Sequence, residues 1–163
     1  MKWIYSAAFV GCIIGANVAL VTFGVVPVGF GLVAPAGVYF AGATFGFRDA
    51  AQETGGRLWT LGLIGVGVAV SALVDPTFAL ASGLAFGLSE LADFAVYTPL
   101  RNRNWPVAVV ASNLVGSIID SAVFLLIAFG SVDLIAGQVV GKMWMTALAL
   151  PVVHMARRKR AAQ

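Results

Sequence analysis

Long apolar stretches follow one another along almost the whole chain, and short polar connections separate them. A stretch of roughly 20 mostly apolar residues, wound as a helix, crosses the hydrocarbon core of a bilayer. The pattern predicts helices at approximately residues 3–26, 28–47, 58–74, 77–100, 106–130 and 134–153. We therefore expect an all-α membrane protein, with a single domain over residues 1–163 built as a bundle of six transmembrane helices.

The composition agrees with lipid as the main solvent of this chain. Hydrophobic residues make up 60% of the sequence and charged residues only 10%, whereas a soluble domain carries about 25% charged residues. The single cysteine, Cys12, lies inside the first predicted span. One cysteine provides neither an internal disulfide nor a cysteine-based metal site, and we expect no metal and no cofactor.

The basic residues predict the orientation of the bundle. With six crossings, all but one of the 10 Lys and Arg residues fall on one side: Lys2, Arg48, Arg57, Arg101, Arg103, Arg157, Arg158, Lys159 and Arg160. Positively charged residues stay on the cytoplasmic side, so we expect both termini in the cytoplasm and a multi-pass protein of the inner cell membrane. The net charge of +3 is thus interpreted as a topology signal that contacts lipid head groups, and no nucleic-acid partner is expected.

Polar side chains inside the last three predicted spans share single helix faces. They are Glu90, Asp93 and Tyr97, then Asn113, Ser117 and Asp120, and finally Gln138 and Lys142. An unpaired charge near the bilayer midplane costs about 3 kcal/mol or more, so a chain that retains such charges is expected to provide a partner or a ligand for them.

Depth along the helices suggests one specific pair. The 1.5 Å rise per residue places Lys142 at ~18 Å and Asp120 at ~21 Å from the cytoplasmic ends of their helices. The two side chains can therefore pair if their helices are neighbours. Two interpretations stay open, a purely structural ion pair and the lining of a binding site.

The most polar internal connection runs from Arg48 to Arg57. Its carboxylates, Asp49 and Glu53, are one helical turn apart and share a face. Either the second helix extends into the cytoplasm with a solvated acidic face, or these carboxylates close the cytoplasmic mouth of a cavity and act in gating.

The first span also carries small residues at four-residue spacing, Ala7, Gly11 and Gly15, which favour close helix packing within the chain or docking of a partner.

Several of these residues belong to recognisable motifs. The run from Thr44-Phe45 through Asp49 and Glu53 to Gly56 resembles the T-F-x-x-x-D-x-x-x-E-x-x-G signature of the queuosine-precursor transporter family, also called the VUT or vitamin-uptake-like family. The segment 112–124, with its serine, amide and aspartate, resembles that family's fifth helix, and Gly137-Gln138 with Lys142 and Pro151 resembles its last helix. Arg48 stands where the family more often has a small or apolar residue.

The resemblance implies uptake of a deazapurine such as 7-cyano-7-deazaguanine. A carboxylate can accept from the N1–H and the exocyclic amine of a guanine-like edge, and an amide or ammonium can bind its carbonyl oxygen and ring nitrogen. The residues expected to bind the substrate are Asp120, Asn113, Ser117, Glu90, Asp93, Gln138, Lys142, Phe45 and Tyr97. Tyr39, Phe86 and Trp144 are further aromatics that could stack on its ring.

Two transport mechanisms fit these features. The first is secondary transport in which buried carboxylates couple uptake to protons. The second is a substrate-binding subunit of an energy-coupling-factor importer, a fold that the family resembles, with an ATPase module as partner; a homo-oligomer is a further expected assembly. An intramembrane enzyme has little support, because the chain lacks HExxH and GxSxG motifs and has one histidine, His154, so no catalytic residue is expected.

Overall fold

A computed structural model describes residues 2–74 and 79–161. The elements are α1 (Lys2–Phe23), β1 (Val25–Gly29), β2 (Leu32–Pro35), α2 (Val38–Gly55), α3 (Arg57–Val74), α4 (Ala79–Leu100), α5 (Trp105–Phe129) and α6 (Ile135–Ala161). The expected connection around Asp75 and Pro76 lies outside the described residues. The described part is thus a helical bundle, as predicted, with one short β-hairpin.

The hairpin occupies the segment where the second helix was expected to begin. Strand β1 pairs antiparallel with β2, and the turn between them contains three consecutive residues with positive φ, namely Gly29, Phe30 and Gly31. Glycine adopts this backbone region without strain, and neighbouring valines favour extended backbone. The helix in this segment therefore begins at Val38 rather than at residue 28.

The hairpin packs on the first half of α6. Trp144 donates its indole N–H to the carbonyl oxygen of Val28 at 3.1 Å, and its ring stacks on Phe30 with centroids 6.2 Å apart. The hydroxyl of Tyr39 donates to the carbonyl oxygen of Pro27 at 3.1 Å. These contacts hold the hairpin over one end of the bundle, which we call the hairpin end.

Helix α2 packs closely against α6 because small residues separate the two backbones. A Cβ added at Gly42 would lie only 2.7 Å from the Cα of Lys142, and Gly46 lies directly against the side chain of Ala149. Glycines four residues apart permit this approach. Helix α2 is consequently buried along most of its length, and its polar residues face the interior of the bundle.

The opposite end of the bundle, which we call the basic end, gathers the first turn of α1 and the last turns of α4 and α6. Trp59 donates to the hydroxyl of Ser6 at 3.0 Å, and Arg157 donates to the carbonyl oxygen of Arg101 at 2.7 Å. The rings of Trp105 and His154 lie 5.2 Å apart. Both described ends of the chain therefore lie on the same side of the bundle.

Among the described residues, three helices are long and apolar enough to cross a membrane. They are Lys2–Phe23, Trp105–Phe129 and Ile135–Arg158, and a shorter apolar stretch covers Arg57–Val70. Helices α2 and α4 carry charged residues near their middles, and those residues are buried in the bundle. Helices α2 and α4 can thus cross a membrane only if the other helices shield these charges from lipid. The number of six spans stays a prediction.

The close approach of α2 and α6 leads to a stability prediction. We expect Gly42→Ala to lower the free energy of unfolding by about 1–3 kcal/mol, since the new methyl group meets backbone atoms that cannot easily move. The control is Gly83→Ala, where the nearest atom to an added Cβ belongs to Val68 at 3.9 Å. Denaturant unfolding in mild detergent measures both variants, and equal stabilities would contradict the packing described here.

Candidate functional site

Polar side chains from α2, α4, α5 and α6 form a continuous axis through the interior of the bundle. It has three parts, arranged from the hairpin end to the basic end. The pocket cluster contains Asp120, Ser121, Gln138 and Lys142; the central cluster contains Arg48, Asp49, Glu90 and Asp93; the basic-end cluster contains Glu53, Tyr97 and Arg101. On α2 and α4 these residues recur at intervals of one helical turn, which keeps them on one inward face.

A partly open cavity lies at the hairpin end, above the central cluster. It offers about 100 Å³ of water-accessible space, and a single water needs only about 10–15 Å³ of such space. Its lining comes from α1, α2, α4, α5, α6 and the end of β2, and includes Asn17, Pro35, Thr44, Phe45, Ser82, Phe86, Asp120, Phe124 and Gln138. A second cavity, beside Gly46 and Met145, has only apolar side chains around it.

Lys142 organises the floor of the cavity through its ammonium group. Its Nζ donates to Asp120 at 2.5 Å, to Ser121 at 2.7 Å and to Gln138 at 2.9 Å. An ammonium has three protons, so these acceptors satisfy it completely. The Asp120 side chain keeps 16% of its surface exposed while Lys142 keeps 1%. The expected pairing of Asp120 with Lys142 is confirmed, and Asp120 is the member that faces the cavity.

The α5 face below Asp120 is polar and fully buried. Asn113 donates its amide N–H to the hydroxyl of Thr146 at 3.1 Å, and that hydroxyl donates to the carbonyl oxygen of Lys142 at 3.2 Å. Asn113 Oδ1 and Ser117 Oγ find no hydrogen-bond partner among the described residues. Gly116, on the same face, lies against Asp93 and Phe45, so this part of α5 borders the central cluster.

Arg48 holds the central cluster together from α2. Its Nη1 lies 3.0 Å from Asp49 Oδ1 and its Nε lies 2.9 Å from Glu90 Oε2, while Nη2 contacts Asp93 Oδ2. The side chains of Arg48, Asp49, Glu90 and Asp93 have no exposed surface. The guanidinium also lies 5.9 Å from the centre of the Tyr97 ring. One cation thus faces three carboxyl groups in a site shielded from water.

This burial corrects two expectations. Arg48 is not a cytoplasmic topology residue, because it lies inside the bundle between α2 and α4. Asp49 and Glu53 do not form a solvated acidic face either, since their residues are 0% and 4% exposed. The physical reason is that α2 lies inside the bundle, where its charges pair with each other and with residues of α4 instead of with water.

Glu53 belongs to the basic-end cluster, one turn below Asp49. The hydroxyl of Tyr97 donates to Glu53 Oε1 at 2.6 Å, and Arg101 Nη1 lies 3.5 Å from the same oxygen. Nearby, Gln52 donates to the hydroxyl of Thr98 at 3.1 Å. These contacts join the last turns of α2 to the last turns of α4 and close the polar axis on this side.

The structure separates the residues expected to bind a substrate into two sets. Asp120, Gln138 and Phe45 line the cavity, with Lys142 directly beneath them. Asn113, Ser117, Glu90, Asp93 and Tyr97 are buried and do not belong to its lining. Among the other aromatics considered, Phe86 lines the cavity, whereas Tyr39 and Trp144 bind the hairpin.

Sequence reasoning missed several residues that matter in this arrangement. Arg48 looked like one more basic residue of a connection. The one sign that could have marked it is that it stands where the family more often has a small or apolar residue. Phe124, one helical turn after Asp120 on the same face of α5, lines the cavity. Asn17 also lines the cavity. In the sequence it is marked only as a single amide within an apolar helix.

Comparison with known proteins identifies the family. The model of the family described as "Putative vitamin uptake transporter" matches residues 69–156, which is more than half of the chain, so the chain belongs to this family. No curated protein and no solved structure matches the chain. The match and the apolar helices together make it a membrane protein of a transporter family.

The central cluster predicts a large effect of removing its only cation. Breaking a buried ion pair on one side costs about 3–5 kcal/mol, so Arg48→Gln should lower the free energy of unfolding by that amount. Arg57→Gln is the matched control, because Arg57 is exposed and a surface change of this kind stays within about 0.5 kcal/mol.

The measurement is denaturant unfolding of the purified variants in detergent. The double variant Arg48→Gln with Asp93→Asn should lose less than the sum of the two single losses, because it removes one of the carboxylates left without a counter-charge. Equal stabilities of Arg48→Gln and Arg57→Gln would show that the buried contacts of Arg48 do not support the bundle.

Proposed function

We propose that this transporter takes up a queuosine precursor, 7-cyano-7-deazaguanine or a related deazapurine, by secondary transport coupled to protons. The observation that carries the proposal is the cavity at the hairpin end. It combines a partly exposed carboxylate, an amide and several aromatic rings within one small space, and it lies opposite the basic end.

The orientation follows from the charges at the basic end. If the positive residues there stay cytoplasmic, the bundle crosses the membrane six times with both termini inside. The cavity then faces the exterior, as a site that captures a solute for uptake requires. The inner cell membrane is the corresponding location.

The lining suits a flat ring with a guanine-like edge. Asp120 can accept from two adjacent N–H groups of such an edge, and charged acceptors form the stronger hydrogen bonds. Gln138 offers an amide that can donate to a carbonyl oxygen or a ring nitrogen. Phe45, Phe86 and Phe124 supply aromatic faces and edges for the ring. The described lining contains no cationic residue, and Lys142 lies below it.

Glu90 and Asp93, which the sequence suggested as substrate-binding residues, have a different role in this proposal. Glu90 and Asp93 hold Arg48 rather than line the cavity. In the same way, Glu53 joins α2 to α4 at the basic end, which supports a gating role for Glu53. Release of a solute into the cytoplasm would require this contact to open.

Ligand binding gives the first test. We expect 7-cyano-7-deazaguanine to raise the melting temperature of the purified protein, and adenine to have no such effect. Asp120→Asn should weaken the binding by about one to two orders of magnitude, because a hydrogen bond to a charged group contributes about 1.5–3 kcal/mol.

Ser121→Ala is the matched control for that substitution. It also removes one acceptor from Lys142, but it leaves the carboxylate at the cavity unchanged, so binding should persist. An equal loss in Ser121→Ala and Asp120→Asn would show that the position of Lys142, not the Asp120 carboxylate, decides binding. A protein that no deazapurine stabilises would contradict the proposed substrate.

Uptake without a partner distinguishes the two mechanisms. We expect proteoliposomes that contain this chain alone to accumulate labelled 7-cyano-7-deazaguanine in the absence of ATP. The control is the same preparation carrying Asp120→Asn, which should take up far less. A strict need for an ATPase module would instead favour a substrate-binding subunit of an energy-coupling-factor importer.

A further inference from the structure

We infer that the central cluster of Arg48, Asp49, Glu90 and Asp93 is the proton-binding site that couples transport to the proton gradient. The inference deepens the proposed function, on which its transport part rests. It assigns the coupling to carboxyl groups on α2 and α4, and not to the Asp120–Lys142 pair in the cavity floor.

The central cluster contains more acidic than basic groups. Arg48 supplies one positive charge, and the three carboxyl groups around it would supply three negative charges if all were ionised, which leaves a formal surplus of two. The four side chains have no exposed surface. A buried carboxylate without a counter-charge costs several kcal/mol of free energy. A buried group avoids that cost by taking its neutral form, which for a carboxylate means binding a proton. Binding protons removes the surplus.

Several buried oxygen atoms in and beside the cluster lack hydrogen-bond partners among the described residues. Each carboxyl group turns one oxygen to Arg48. The other oxygens of two of them, Asp49 Oδ2 and Glu90 Oε1, find no donor among the described residues, whereas the Asp93 carboxyl also has the Ser112 hydroxyl beside it. Asn113 Oδ1, on the α5 face that borders the cluster, lacks a donor as well. Buried polar atoms normally have partners, and a protonated carboxyl supplies an O–H donor that ionised carboxylates cannot.

The described residues of the cluster suit a proton better than a metal ion. No group of three or more His, Cys, Asp or Glu side chains among them has an arrangement that could hold one. The guanidinium of Arg48 also occupies the centre that a cation would need. Protons require no coordination shell, so they fit a cluster that is already closed around an arginine.

Neighbouring charges connect the cluster to both ends of the polar axis. Asp120 on α5, paired with Lys142 on α6, lies close enough to interact electrostatically with Glu90. Glu53 on α2, held by Tyr97 and Arg101 on α4, interacts in the same way with Asp49. A ligand that binds Asp120 therefore changes the field at Glu90, and by linkage a proton at Glu90 changes the affinity for that ligand.

The proton also affects how firmly α2 is attached to α4. Arg48 and Glu53 on α2 make their ion pairs and hydrogen bonds with Glu90, Asp93 and Tyr97 on α4. Adding a proton to one of the carboxylates weakens its attraction to Arg48, and losing that proton restores it. A proton that enters from the external water and leaves to the cytoplasm would thus alternately loosen and tighten the α2–α4 contact.

Infrared spectroscopy tests the proton site without any substrate. The purified protein at neutral pH should show the C=O stretching band of a protonated carboxylic acid, with the small shift in D2O that identifies an exchangeable proton. The band should weaken in at least one of Asp49→Asn, Glu90→Gln and Asp93→Asn. It should persist in Asp133→Asn, whose carboxyl group is exposed.

Transport tests the coupling. In proteoliposomes, an inward proton gradient should drive accumulation of 7-cyano-7-deazaguanine at least tenfold above the level without a gradient. Glu90→Gln should lose this accumulation while it still exchanges labelled for unlabelled ligand and is still stabilised by the ligand, which shows that it is folded. Asp133→Asn should accumulate the ligand like the original chain.

The two arms separate the possible failures. A spectrum without the carboxylic acid band, or a band unchanged in all three central variants, overturns the proton site. Full accumulation by all three central variants, or accumulation driven by sodium rather than protons, overturns the coupling. If the original chain neither binds nor exchanges deazapurines, the proposed substrate is wrong, and the infrared result still decides whether the cluster holds a proton.

Discussion

Burial of the Arg48 guanidinium constrains the whole interior of this bundle. A charge without water needs counter-charges at contact distance, and they come from Asp49 beside it and from Glu90 and Asp93 on α4. These side-chain contacts bridge α2 and α4, while the backbone of α2 packs mainly on α6 and α1 and that of α4 mainly on α5. Gly116 of α5 then lies against Asp93, while Gly42 of α2 lies against α6. The polar faces of four helices consequently meet along one line.

The order of the clusters along this line suggests a division of labour. The cavity and its carboxylate lie at the hairpin end, the fully buried charges lie in the middle, and the Glu53–Tyr97–Arg101 contacts lie at the basic end. The first part borders the cavity, which offers space for a solute. On the proposed function, the middle part would change its charge without admitting water, and the last part would close the route. Binding, coupling and gating would then be separate but within reach of each other's electric fields.

The segment that matches the family model contains only some of the residues that form the cavity and the central cluster. The matched residues 69–156 supply Glu90, Asp93, Asp120 and Lys142. Arg48 and the first helix lie before that segment, as does the hairpin. Both the cavity and the central cluster are therefore assembled from the two parts of the chain, and neither part contains a complete site.

Local regularities of the sequence were sufficient for the membrane character, for the shared face of Asn113, Ser117 and Asp120, and for the pairing of Asp120 with Lys142. Helix period and rise per residue determine such features without knowledge of the neighbours. The hairpin before α2, the burial of Arg48 and the choice of Asp120 over Glu90 as a cavity residue came only from the tertiary structure. They depend on which helices are adjacent and how closely their backbones approach, and residues distant in sequence decide both.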